Sequence, residues 1–296
     1  MRIALTGATG FIGRRLIERL LDCGHALRLL GRKPFGSLPF SSWDAGGADP
    51  PPEESLRETE AVIHLAGEPV AQRWTQEAKR RIRASRVEGT RRLVEALAAL
   101  PQRAGVLISA SASGIYGARG DDILTESTPP GGGFLAEVCL EWERAAAGAE
   151  ALGLRVIRLR IGTVLGRGGG ALARLLRPFK AGLGGRLGNG RQWMSWIHLD
   201  DLVELIRFAA ESPGLRGPVN AVAPNPVTNA DFTRQLAAVL RRPAALPVPA
   251  FTLRAVFGEM ASVLLDSQRV APEAALAAGF DFRYPELGLA LKELLA

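Results

Sequence analysis

The sequence predicts an α/β chain, a doubly wound parallel sheet carrying a smaller, mostly helical C-terminal lobe for substrate. Two observations lead there. A glycine turn, Thr6-Gly7-Ala8-Thr9-Gly10-Phe11-Ile12-Gly13, follows a short apolar run, Ile3-Ala4-Leu5, and precedes Leu16-Ile17-Glu18-Arg19-Leu20-Leu21, whose apolar residues keep helical spacing. Beyond it, strand-like apolar runs alternate with helical patterns over the first two thirds of the chain, as a sheet with helices on both faces requires.

The first strand, turn and helix make a Rossmann-type unit able to hold a pyrophosphate. The glycines permit the tight turn and close backbone approach, and the helix start offers unpaired N–H groups. Thr6, Gly7, Gly10, Phe11, Ile12 and Gly13 are therefore cofactor-binding candidates. The second strand, 26–31, ends in Gly31-Arg32-Lys33, about twenty residues past the turn, where an NAD site places Asp or Glu on the ribose. Two cations and no carboxylate favour a 2′-phosphate, so Gly31 and Arg32 point to NADP(H).

Further strands are expected at 40–44, 61–66, 106–110 and 155–161, and helices at about 11–23, 75–100, 135–152 and 199–211. After Gly166 the texture changes: Gly168-Gly169-Gly170 and the glycine-rich run from Gly182 to Gly190 suggest turns and short strands, and the chain from about 224 reads as mostly helical. The expected division is a nucleotide-binding unit over 1–165, to which 196–222 returns, with 166–195 and 223–296 forming the smaller lobe. Ligands would bind beyond the carboxyl ends of the strands.

Composition narrows the class. The 296 residues are 47% hydrophobic and 23% charged, which suits a globular enzyme with a sizeable core. No apolar run approaches the length of a membrane span, and the first strand at Arg2 leaves no leader expected. Cys23 and Cys139 lack metal-ligand spacing and read as reduced thiols of a cytoplasmic protein, and His25, His64 and His198 give no metal site. The net charge of +7 raises a nucleic-acid reading, because arginines crowd the helix expected at 75–100. Glu77, Glu88 and Glu95 interrupt them, no recognition signature or stacking aromatics accompany them, and a solvated face is the better reading. A monomer or homodimer acting on a small molecule is expected.

Several separated motifs resemble the extended short-chain dehydrogenase/reductase superfamily. Beside the glycine turn these are Val62-Ile63-His64-Leu65-Ala66-Gly67, Ser109-Ala110-Ser111-Ala112-Ser113-Gly114-Ile115-Tyr116-Gly117 and Trp196-Ile197-His198-Leu199-Asp200-Asp201. Narrower features are Glu68, Arg73-Trp74, Ser85-Arg86, Trp142-Glu143, Val164-Leu165-Gly166-Arg167-Gly168-Gly169-Gly170, Ala223-Pro224-Asn225 and Phe257-Gly258. Together they are similar to the YfcH-like "epimerase family" group over the whole chain. That resemblance implies NADP(H) binding, with Leu65, Ala66 and Gly67 along the cofactor, Asp44 at the adenine and Val164 at the nicotinamide. Arg86 stands where many extended relatives carry Asn, and it is assigned with Arg81, about one and a half turns earlier, to the cofactor site.

The same resemblance exposes a departure. The superfamily's chemistry rests on Ser or Thr with a Tyr and a Lys four residues apart, but the corresponding segment here reads Phe134-Leu135-Ala136-Glu137-Val138. The serine position falls on Ala112, between Ser111 and Ser113. Tyr116, Ser113 and Glu68 remain as catalytic candidates, against the plainer readings that Tyr116 only packs and Glu68 pairs with an arginine. Trp193, Ser195 and Trp196 are the substrate-cleft candidates. His198, Asp200 and Asp201 are expected to cap and orient the following helix. The expected function is an NADP(H)-binding oxidoreductase or epimerase-like protein acting on an unidentified small molecule. The alternatives are a catalytically silent NADPH-binding sensor or regulator and, as a minor one, a nucleic-acid binder.

Overall fold

The computed structural model describes all 296 residues. The chain begins with β1 (Arg2–Thr6), α1 (Phe11–Asp22), β2 (Ala26–Gly31), β3 (Phe40–Ser42) and β4 (Ala61–His64), then α2 (Gln76–Arg83), α3 (Gly89–Ala99), β5 (Val106–Ala112) and β6 (Ile123–Leu124). It continues through α4 (Phe134–Ala147), β7 (Arg155–Ile161), β8 (Thr163–Leu165), α5 (Gly170–Lys180), β9 (Trp193–Met194), β10 (Trp196–His198), α6 (Leu199–Glu211) and β11 (Gly217–Ala221). Last come β12 (Val227–Thr228), α7 (Asn229–Leu240), α8 (Ala250–Phe257), α9 (Ser262–Leu265), β13 (Arg269–Val270), α10 (Glu273–Ala277) and α11 (Leu287–Leu295).

Seven strands pair in parallel in the order β11-β7-β5-β4-β1-β2-β3, so the winding direction reverses between β1 and β4. A crevice forms at such a reversal, beyond the strand ends. Strand β4 is buried along its whole length, because helices cover both faces of the sheet. Leu16, Leu20, Leu202 and Ile206 of α1 and α6 seal one face, and Leu93, Leu97 and Ala146 of α3 and α4 seal the other. Each such fully buried leucine stabilises the fold by roughly 1.5–3 kcal/mol.

Departures from the sequence reading have local causes. β4 stops at His64 rather than 66, because the N–H groups of Leu65 and Ala66 turn to the Thr6 hydroxyl instead of a neighbouring strand. β5 runs on to Ala112, paired with Ile161 of β7. The helix expected over 75–100 is divided by a π-helical turn, Ala84–Glu88, after which Gly89 packs against the Ala45 carbonyl, where a Cβ would lie 2.5 Å from the oxygen. β11, unread in the sequence, adds to the sheet edge beside β7. Between the two glycine runs lies α5, which buries Leu172 and Phe179.

A second core joins α5, β10, α7 and α11 through Leu172, Phe179, Trp196, Phe232, Leu236 and Leu291. No helix is long and apolar enough to cross a membrane.

Candidate nucleotide-binding site

At the end of β1 the chain turns at Gly7, whose φ of +77° is natural only to glycine. A Cβ there would lie 2.8 Å from the Leu65 carbonyl, and one on Gly13 would lie 2.2 Å from the Gly7 oxygen. The turn is thus a cradle of bare backbone. Gly10 is the N-cap of α1, no side chain caps the helix, and its first turn carries no acidic residue. Its N–H groups and positive dipole end are left for an anion. The Phe11 ring points elsewhere: Cβ atoms on Gly166 and Gly169 would meet it at 2.7 and 2.4 Å, so it pins the 166–170 turn to α1.

Beneath the cradle, Thr6 and His64 stand opposite each other on β1 and β4. The Thr6 Oγ1 lies 2.8 Å from His64 Nδ1 and accepts the N–H groups of Leu65 and Ala66 at 3.1 Å each. A hydroxyl has one proton to give, so here it goes to Nδ1, and the imidazole carries its own proton on Nε2. That nitrogen is buried with no partner. Burial, reinforced by the positive charge of Arg86, lowers the His64 pKa to about 4 and keeps the ring neutral. The Thr6 hydroxyl is consequently spent on shaping Leu65-Ala66. His64 was part of a recognised motif without a role, and its position opposite Thr6 supplies one.

On the β2 side Arg32 is exposed, and its guanidinium makes no hydrogen bond or ion pair within the protein. Gly31 is half-buried, and Asp44 is exposed with Oδ1 accepting the Gly46 N–H at 3.0 Å. On the other side, Leu65 and Ala66 are half-buried and Gly67 is open. A Cβ on Gly67 would sit 3.1 Å from the Arg86 Cζ. Arg86 donates through Nη1 to the carbonyls of Glu68 (2.9 Å) and Ile82 (3.3 Å) and lies over the Trp142 ring, 5.2 Å from its centroid. Arg81 is separate. It is exposed and spends its guanidinium on Glu77, Glu68 and Gln72, at 2.8, 3.3 and 3.3 Å, which takes it out of the cofactor site as drawn from the sequence. Glu68 accepts from Arg81 and from Gln72 (3.2 Å), so its carboxylate is already engaged. Val164 is half-buried in β8, paired with Ile197 of β10.

The remaining candidates divide. Tyr116 is fully buried, its hydroxyl within hydrogen-bond distance of Thr125 O (2.9 Å), Asn220 Oδ1 (2.7 Å) and Arg160 Nη1 (2.9 Å), and burial raises its pKa. This corrects it from proton donor to a packed member of a closed network. Its other members are Arg160, bound to Glu143 through two contacts of 2.9 and 3.0 Å, and Ser111, which donates to Glu143 at 2.7 Å. Ser195 is likewise corrected: its hydroxyl donates to Gln268 O (2.7 Å) and accepts from Val270 N (2.8 Å), joining β10 to β13. Trp196 is wholly buried in the C-terminal core with Nε1 on Asn225 O, so it lines no cleft. Trp193 is half-buried, donating to Asp121 (2.8 Å) beneath the Arg269 guanidinium. Ser113 stays half-buried at the end of β5, donating to the Gln268 side chain at 3.0 Å. Gln268, which the sequence did not single out, thereby ties the C-terminal segment to the sheet.

Phe134 packs edge-on to Trp74 (5.1 Å between centroids), and Val138 is buried with Trp74, Ile82 and Met260. His198 Nδ1 accepts the Asp200 N–H at the start of α6, and Asp201 accepts from Arg283 N and Tyr284 N.

Residues 3–221 match the NAD dependent epimerase/dehydratase family, and residues 248–294 match a domain of unknown function, DUF1731. The chain is 43% identical to "Epimerase family protein SDR39U1 homolog, chloroplastic" of Arabidopsis thaliana, covering 100% of this chain and 87% of the relative. It is 38% identical to "Epimerase family protein YfhF" of Bacillus subtilis, covering 100% and 98%. The crystal structure of human epimerase family protein SDR39U1 (isoform 2) with NADPH superposes with a TM-score of 0.91 at 35% identity, covering 100% of this chain and 99% of the other. The chain belongs to the NAD dependent epimerase/dehydratase family.

Proposed function

We propose that the protein is an NADP(H)-binding, oxidoreductase- or epimerase-like enzyme acting on a small molecule at the carboxyl ends of β1, β4 and β5. The bare glycine cradle in front of the uncapped α1 carries this reading. The human relative crystallised with NADPH, 35% identical along the whole chain, supports it. Gly7, Gly10 and the first N–H groups of α1 hold the pyrophosphate, Arg32 meets the 2′-phosphate, and Leu65 to Gly67 form the floor. A bound nicotinamide supplies hydride transfer. Ser113, oriented by Gln268, is the hydroxyl left at the β5 end to hand over a proton, while Glu68 is held by Arg81. Residues 166–195 and 223–296 form the lobe that excludes water above them. A cytoplasmic setting accords with the unbridged Cys23 and Cys139.

One observation favours a second reading, a catalytically silent NADPH-binding sensor. Phe134 and Val138 fill the expected Tyr and Lys positions, and Tyr116 is sealed away. NADPH oxidation against carbonyl, enone and sugar panels separates the two, since only the enzyme consumes it.

Cofactor choice is tested by titrating the cofactor-free protein with NADPH and NADH, following nicotinamide fluorescence, beside Arg32→Ala. Loss of one charge-assisted contact, about 1.5–3 kcal/mol, predicts NADPH binding weakened by about ten- to a hundredfold and NADH binding unchanged. Equal affinities in both proteins would overturn the 2′-phosphate assignment.

A further inference from the structure

The surplus positive charge of the chain is not spread evenly. Between Thr163 and Leu199 stand Arg167, Arg174, Arg177, Lys180, Arg186 and Arg191, and no Asp or Glu. Between Ser212 and Gly258 the only acid is Asp231, which pairs with Arg234. These two stretches lie side by side. The Val248 N–H donates to the Arg186 carbonyl at 2.9 Å, the Gly188 N–H donates to the Val248 carbonyl at 2.8 Å, and a Cβ on Gly182 would come within 3.8 Å of Pro243. Lys180, Arg186, Arg241 and Arg242 are exposed there, and their side chains make no hydrogen bond or ion pair within the protein. Arginines between α1 and α6 behave differently, since Arg15, Arg19 and Arg207 are matched by Asp200, Glu204 and Glu211.

Apolar side chains stand out from the same region. Leu183 is 61% exposed, Leu246 52% and Phe251 73%. Helix α8 buries only Leu253, whereas Phe251 and Ala255, four residues apart, share its outer face, with Arg254 and Val256 exposed beside them. Ala250 begins that helix, and a Cβ on Gly188 would lie 3.9 Å from its Cβ, so the helix is continuous with the basic segment. Unmatched cations favour an anionic partner, but a merely solvated basic face gains nothing from holding two leucines and a phenylalanine in water. Nucleic acid would accept the cations, yet it offers little to aliphatic side chains, and a single exposed ring is no stacking platform. A bilayer containing anionic lipid suits both, because its headgroups neutralise the cations and its acyl boundary takes up the apolar side chains. We propose that the 180–188 and 241–256 segments form a face that docks the protein onto an anionic membrane surface, with no segment crossing it.

The test sediments the full chain with vesicles of phosphatidylcholine alone, or with about a quarter phosphatidylglycerol, at low and high salt. Wild type should bind the anionic vesicles at low salt, leave them at high salt, and ignore phosphatidylcholine alone. Each cation near such a surface strengthens binding about fivefold, so Arg241→Gln/Arg242→Gln should weaken it at least tenfold. Phe251→Ser should weaken it about tenfold, and Leu183→Ser repeats the apolar test if the first variant lowers Tm. A control pair on α2 and α4, Arg80→Gln/Arg144→Gln, removes the same charge elsewhere and should stay within about threefold. Wild type that does not sediment with anionic vesicles overturns the inference. Equal weakening in the control pair also overturns it, because net charge alone is then the cause. So do serine variants that bind like wild type, since no apolar side chain then enters the bilayer. Tighter binding to a duplex oligonucleotide than to vesicles would assign the face to nucleic acid instead. A dimer of the free protein that is lost in Phe251→Ser would assign it to a second copy of the chain.

Discussion

Replacing His64 by asparagine should flatten the acid side of the protein's stability profile. The side-chain oxygen of the introduced asparagine can take the place of Nδ1 as acceptor for the Thr6 hydroxyl, so the β1–β4 bridge survives while the titrating ring is removed. In the native protein burial holds the His64 pKa at about 4, against 6.5 for an unhindered histidine. A lowered histidine pKa means the unfolded chain takes up the proton first. The stabilising contribution is complete above pH 6.5, shrinks as pH falls, and is gone near pH 4. At 1.36 kcal/mol per pH unit, the wild type should lose about 2 kcal/mol from this one residue between pH 7.5 and 5. Urea unfolding at those two pH values, for wild type and His64→Asn, isolates the effect, because the carboxylates common to both cancel in the difference. Profiles that stay parallel to within about 0.5 kcal/mol would refute a buried, neutral His64. NADPH binding by the variant should be close to wild type, since the hydroxyl still gathers the N–H groups of Leu65 and Ala66.

Glu143→Gln should destabilise by about 3–5 kcal/mol in chemical denaturation, because it leaves Arg160 enclosed without its anion. Gly13→Ala should abolish NADPH binding in the fluorescence titration, since its Cβ would lie 2.2 Å from the Gly7 oxygen and force the cradle apart. In the native protein one thiol of the two should react with a disulfide reagent at pH 8: Cys23 is exposed, whereas Cys139 is buried with its pKa raised by burial to about 12. Two reacting thiols before unfolding would contradict the packing of α4.

The nucleotide end of the site was legible because its signals are local. Gly7, Gly10 and Gly13 act through backbone geometry within one turn, and Arg32 stands at the end of the strand that follows. The substrate end depends on contacts between residues far apart in the chain, and there the sequence says less. Trp196 and Ser195 follow one another in a segment that looked like a cleft wall. Yet Trp196 turns into a core built from α5, α7 and α11, and Ser195 is claimed by Gln268 and Val270. Tyr116 looked available as one of two tyrosines, but its three partners come from Thr125, Arg160 and Asn220, and no spacing announces that. β11 was missed because Gly217-Pro218-Val219-Asn220-Ala221 is too short and too broken to read as a strand alone; pairing with β7 makes it one.

Phe134 and Val138 join Trp74, Ile82 and Met260 in one apolar cluster, and Lys79 lies over the Phe134 ring while pairing with Glu259 near the end of α8. Phe134 and Val138 thereby help hold the C-terminal segment at Met260 against α2 and α4. The double substitution Phe134→Tyr and Val138→Lys would therefore place an ammonium inside that cluster without a counter-ion, at a cost of several kcal/mol. It would destabilise that contact.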